Sequence, residues 1–193
     1  MTTQVSDAMR VTTALDATKL TGNLPAISGA SLTDLPASGL YSSVAMICDQ
    51  KASGTLSGSF TSGAWRTRDV NTEISDADGI VSISANNFTL QAGTYTLEWS
   101  ARVYFAGRSR SRCVNVTDSN SVVVTGTSSY TVSGTTDHSV GMISNLVISV
   151  ASAFKIQHYC DTTKVNNGFG VEGGALSGGD VEKYLMVKIY KHS

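Results

Sequence analysis

The 193-residue chain is poor in charge, proline, cysteine and aromatic side chains. Each shortage closes off a class of protein. Charged residues make up 15% of the chain and the formal net charge is −1, so it lacks the basic excess with which a general nucleic-acid binder displaces counterions. Helix surfaces usually carry Glu, Lys, Arg and Ala, whereas a chain rich in Ser, Thr, Gly and Val suits pleated sheets and turns. No window approaches the roughly 18 apolar residues that span a bilayer. The first residues, Met1-Thr2-Thr3-Gln4, carry neither the basic nor the apolar part of a secretory signal. Membrane insertion is therefore not expected, and synthesis in a cytosol is. Three cysteines, Cys48, Cys113 and Cys160, are too few and odd in number for a disulfide framework. They are expected to be buried thiols that act as small hydrophobes.

Composition changes near residue 40. Every aromatic residue lies at Tyr41 or later, and both prolines, Pro25 and Pro36, lie before it. A segment without aromatics, carrying isolated Leu and Ile residues, does not build its own core. It contains an imperfect repeat, Leu24-Pro25-Ala26-Ile27-Ser28-Gly29 echoed by Leu35-Pro36-Ala37-Ser38-Gly39. Proline fixes φ and glycine permits bends, so the stretch reads as extended chain with periodic turns. A solvated linker is the competing reading. Val5, Ala8, Met9 and Thr12 share one face of a short possible helix.

From Tyr41 the pattern is strand after strand. The strongest signal is Phe88 to Phe105, where a short strand, a Gly turn and a long alternating strand follow one another. Tyr95, Leu97, Trp99, Ala101 and Val103 fall on one face of the long strand. Further strands are expected at 43–49, 64–70, 80–84, 109–116, 121–125, 139–150, 154–160 and 181–190, with 54–63 as a loop. Turn signals separate them: Asp118-Ser119-Asn120, Ser133-Gly134, Asn166-Asn167-Gly168 and Gly173-Gly174. The spacing predicts an all-β antiparallel jelly-roll sandwich over residues 41–193 behind an extended lead over 1–40.

The lead from Leu15 to Leu32 resembles the shaft repeats of bacteriophage tail fibres. The body resembles the C-terminal domains of phage fibre proteins in Phe60 to Asn71, Phe88 to Tyr95, Asn115-Val116-Thr117-Asp118 and Gln157-His158-Tyr159-Cys160. The resemblance implies a homotrimeric virion protein, made in the host bacterial cytoplasm, whose head is a tumour necrosis factor-like jelly roll. Implied partners are other phage structural proteins (tail, baseplate or capsid) and a host surface glycan or protein. Leu15, Leu20, Leu24, Pro25, Ile27, Leu32, Leu35 and Pro36 are then the virion-anchoring candidates. With only two shaft-like repeats, a head fibre or capsid decoration protein stands as an alternative, and a glycan-degrading tailspike as a third.

Arg108, Arg110 and Arg112 alternate along a strand and so face one side. Anions on a host glycan would meet them bidentately. Salt bridges to Glu98, Glu172 or Glu182 of a neighbouring subunit, or a solvated strand face, would equally account for them. Trp65, with Arg66 and Arg68 beside it, is either a sugar-stacking platform or an apolar anchor in the core or a subunit interface. His158 and Cys160, two apart, point the same way and form a weak metal pair, alone or with His138 or copies around a threefold axis. No cofactor is expected. Asp137-His138-Ser139 alternate faces and cannot form a triad among themselves, and no nucleophile elbow, zinc-helix or phosphate-loop motif occurs. A binding role without catalysis is the expectation.

Overall fold

Alternation along Tyr95–Val103 buries all five predicted residues, and the rest of the fold is arranged around that row. The computed structural model describes residues 39–173 and 180–193. The anchoring candidates from Leu15 to Pro36, the Pro-containing repeat and the possible helix lie outside them.

Among the described residues eleven strands follow one another: β1 (Tyr41–Lys51), β2 (Arg66–Thr67), β3 (Thr72–Asp76), β4 (Val81–Ser84), β5 (Asn87–Leu90), β6 (Gly93–Tyr104), β7 (Gly107–Asn115), β8 (Ser121–Thr131), β9 (Thr136–Ile148), β10 (Ser152–Cys160) and β11 (Glu182–His192). A five-stranded sheet runs β3-β1-β11-β6-β9. A second sheet runs β4-β5-β10-β7-β8, with β2 added against β10. All strand pairings are antiparallel. The predicted antiparallel sandwich is what the chain forms.

The core lies between the sheets. Ala45, Ile47, Leu97, Trp99, Leu185, Val187 and Ile189 come from the first; Phe88, Leu90, Cys113, Phe154 and Ile156 come from the second. A smaller cluster of Phe60, Val103, Ala106 and Cys160, covered by Phe169, closes one end. Phe60 sits in the stretch read as loop. Its backbone pairs with Lys164, so it is tied down without a strand. All three cysteines are free and buried. Burial pushes the Cys113 thiol up to about 12 and the Cys160 thiol up to about 11, so neither is a nucleophile near neutrality.

Several boundaries differ from expectation for identifiable reasons. The strand expected over 64–70 shrinks to Arg66–Thr67, beyond which a single Arg68 N–H to Ile156 carbonyl bond at 2.9 Å continues toward β10. The polar β3 has no hydrophobic alternation to betray it, since an edge strand is fixed by backbone pairing to β1. The β4–β5 turn uses Ala85 and Asn86, both at positive φ (49° and 63°), a two-residue geometry normally signalled by Asn-Gly. By contrast, the Asp118-Ser119-Asn120 signal holds: Ser119 and Asn120 take positive φ and Ser121 donates to Asp118.

The strand β1 has neighbours on both sides, β3 and β11. Its start is stitched to the chain's end, with Ser193 Oγ donating to the Gly39 carbonyl at 2.7 Å. At the other side of the sheet, Gly141 of β9 lies flat on the Trp99 indole, where any Cβ would overlap the ring. Trp99 cannot retreat, because its Nε1 donates to Ser111 Oγ at 2.8 Å inside the sandwich. Gly141→Ala is therefore expected to destabilise the domain by about 1–3 kcal/mol through overpacking. Urea denaturation followed by Trp fluorescence measures this, and an unchanged midpoint would contradict the packing.

Candidate functional site

Strand β7 alternates as predicted. Ser109, Ser111 and Cys113 point into the sandwich, while Arg108 and Arg110 are exposed and Arg112 is half-buried on the outer face. Within the described residues of one chain, no glutamate lies in ion-pair reach of them. Arg108 lies 3.7 Å from Asp161 instead, and Glu182 is occupied by the backbone N–H groups of Gly54 and Gly173. The other two arginines have neutral partners. Arg110 donates through Nε and Nη2 to Ser128 Oγ at 2.9 and 2.7 Å. Arg112 donates through the same two atoms to Gln157 Oε1, also at 2.9 and 2.7 Å. Arg108 is the one member of the stripe with a carboxylate in ion-pair reach among the described residues.

Register explains these neighbours. On β10, Gln157 lies opposite Arg112 and Tyr159 opposite Arg110. On β8, Tyr130 lies opposite Arg108 and Ser128 opposite Arg110. Trp65 is half-buried on this outer face and not in the core. Its ring lies 4.0 Å beneath the Arg112 guanidinium and 5.7 Å from the Tyr159 ring, a cation–π contact that holds the arginine flat. Arg108 similarly overhangs Tyr130 at 5.7 Å. The face thus interleaves three arginines with three aromatic rings. Tyr130 and Tyr159 were missed from sequence because each becomes a neighbour only through cross-strand register. A groove of about 630 Å³ opens beside Arg108, Arg110, Tyr130, Tyr159, Asp137 and Asp161.

The remaining arginine candidates do not belong to this surface. Arg66 braces its own loop by donating to the Thr61 carbonyl at 3.0 Å. Arg68 is wholly buried, which removes it from any glycan contact. Its guanidinium donates to the carbonyls of Arg102 (2.7 Å), Tyr184 (2.9 Å) and Phe169 (3.3 Å) and lies 4.3 Å over the Phe169 ring. Burial pulls it down to about 10, against the attraction of Asp49 and Asp69, so it stays charged near neutrality.

His158 Nδ1 is 3.2 Å from Arg68 Nη1. Arginine only donates, so this nitrogen accepts and the imidazole is neutral. Burial, and then the Arg68 charge, hold His158 well below its usual 6.5. His158 and Cys160 do face the same way, into the interior, so subunits around a threefold axis cannot share them. No group of three His, Cys, Asp or Glu residues is arranged to hold a metal among the described residues. In the Asp137-His138-Ser139 run, Ser139 is buried and donates to the Thr127 carbonyl, whereas His138 faces Arg102 on the outside.

A second surface is the outer face of the five-stranded sheet. Cross-strand pairing sets Met46, Lys188, Glu98 and Met142 in one row and Met186, Ser100 and Val140 in the next. Met142 is 61% exposed, Val44 48% and Val140 43%. A concavity of about 750 Å³ lies among Glu98, Ser100, Val140, Met142 and Met186 of this sheet and Thr125, Gly126 and Thr127 of β8.

No family model matches the chain, and no curated protein does. Solved structures do. The globular domain of a zebrafish complement 1qA protein is 13% identical, covering 77% of this chain and 94% of that one with a TM-score of 0.46. Murine APRIL is 5% identical, covering 77% and 98% with a TM-score of 0.51. At such identities the likeness concerns the fold alone. The chain carries an antiparallel jelly roll like that of murine APRIL.

The Arg68–His158 pair gives a signed pH dependence. The unfolded histidine takes up a proton near pH 6.5 while the folded one resists until lower pH. Stability is therefore full above about 6.5 and lost as pH falls through the folded value. The slope of the urea midpoint between pH 7 and 5 is expected to shrink in His158→Gln; an identical slope would assign the dependence elsewhere. Arg68→Leu strands three buried carbonyls and is expected to cost on the order of 3 kcal/mol in the same assay.

Proposed function

We propose that the protein is a trimeric fibre-like virion protein of a bacteriophage, held to the particle by its N-terminal segment and touching the host surface with its jelly-roll head. The observation that carries the assembly half is the apolar outer face of the five-stranded sheet. Met46, Met142, Met186, Val44 and Val140 are collected there by register. An exposed apolar patch of this kind marks an interaction surface, and methionine adapts to whatever packs on it. The fold likeness to C1q-type and tumour necrosis factor-type domains supports closure around a threefold axis. The paired Glu98 and Lys188 within the patch would fix the register of neighbouring copies.

The virion half rests on the shaft-like repeat around Pro25 and Pro36 and on the fibre-like segments of the body. Host contact is assigned to the six-stranded sheet, whose outer face stays free when the opposite face is used for assembly. Multivalency supplies the mechanism: three weak sites on one head gain avidity through effective concentration. The role is binding and not catalysis, with a tail or a capsid position both compatible with it.

Light scattering on the purified chain is expected to give three times the chain mass, and Met142→Glu is expected to shift it to monomer with an unchanged far-UV spectrum. A monomeric wild-type chain at high concentration would count against the assembly. Immunolabelling of purified phage particles is expected to decorate them, on tail or capsid. Protein confined to the soluble lysate would remove the virion reading, and release of oligosaccharides from host polysaccharide would replace binding with cleavage.

A further inference from the structure

The groove beside β7, β8 and β10, with Asp137 contributed by β9, collects three kinds of group. Arg108 and Arg110 supply donors, Asp137 and Asp161 supply acceptors, and Tyr130 and Tyr159 supply ring faces. Its volume of about 630 Å³ falls within the ordinary range of ligand pockets. The two aspartates balance the two arginines, so the groove is close to neutral and unsuited to a polyanion. A hydroxylated ring answers this pattern: hydroxyls donate to carboxylates and accept from guanidinium groups, while the C–H face of the ring packs on a tyrosine. Tyr130 is 63% exposed even with Arg108 over its ring at 5.7 Å, which leaves ring surface available on the groove wall.

One group asks for more than hydroxyls. The Arg110 fork closes on a single neutral oxygen, Ser128 Oγ, from both Nε and Nη2. That fork matches the two oxygens of a carboxylate, and Ser128 is an exposed side chain free to turn away. Asp137 and Asp161 would repel a dianionic phosphate at this place more strongly than a singly charged carboxylate. We propose that this groove binds a sugar ring bearing one carboxylate, with Arg110 as the anion fork and Tyr130 as the stacking platform. The inference rests on the reading that the head touches a host glycan surface, and it specifies the chemistry of that contact.

The test uses the full-length chain on an array of oligosaccharides in which each carboxylated sugar is paired with its carboxyl-reduced, neutral counterpart, with phosphorylated sugars as a third set. Retention is expected on carboxylated members and at least tenfold weaker on their neutral partners. Arg110→Gln and Tyr130→Ala are each expected to lose at least tenfold, and Arg110→Lys, which keeps the charge without the fork, to recover only part. Both sites are exposed, so thermal midpoints should match wild type. Equal retention of neutral and carboxylated members, preference for the phosphorylated set, no retention at all, or an indifferent Arg110→Gln would each overturn the proposal. Adsorption of the same proteins to host cells separates the two levels. If wild type and Arg110→Gln adsorb equally, the carboxylate site fails while host contact stands; if neither adsorbs, host contact fails.

Discussion

A single buried guanidinium sets the geometry at one end of the sandwich. Arg68 has no carboxylate on its fork, and it reaches the carbonyls of β6, β11 and the Phe169 loop as well as the imidazole of β10. Those segments belong to both sheets, so one side chain fixes their spacing from within. Burying a charge without a direct partner is costly; three carbonyl acceptors, a ring face and two nearby aspartates offset the cost. Just before Arg68, the short strand Arg66–Thr67 pairs with β10, and Trp65 lies on the outside under Arg112.

The two outer faces follow from the same alternation but carry opposite chemistry. On the five-stranded sheet, outward positions hold methionine and valine around one Glu–Lys pair. On the six-stranded sheet, they hold arginine, tyrosine and glutamine. Had β7 slipped by one residue, Arg108, Arg110 and Arg112 would have entered the core and Ser109, Ser111 and Cys113 the solvent. The buried chain from Trp99 Nε1 to Ser111 Oγ and on to Ser139 Oγ guards against that slip. The interior hydrogen bonds and the exterior charge pattern are thus one constraint seen from two sides.

The sheet architecture was legible because it rests on local signals: alternation over Tyr95–Val103, turn residues at Ser119–Asn120, and a chain poor in helix formers. The one-sided arginine stripe was legible for the same reason. What escaped was whatever depends on long-range register. Tyr130 and Tyr159 join the stripe only through pairing with β8 and β10, and the acid facing Arg108 within the chain is Asp161, 53 residues away. Arg68 looked like a neighbour of Trp65 and proved to be its opposite, since one lies outside and the other in the core. Phe60, within a run of Gly, Ser and Thr, had no periodicity to mark it, and the edge strand β3 had no apolar face.

The position of β1 has a mechanical consequence. Tension entering the sandwich at Gly39 reaches a strand that is hydrogen-bonded along β11 over nearly its whole length and along β3 at its centre. To extract it, load must break two ladders at once, not peel an edge one bond at a time. The Ser193–Gly39 bond also fastens the far end of β11 to the point of entry, so the last strand shares the load with the first.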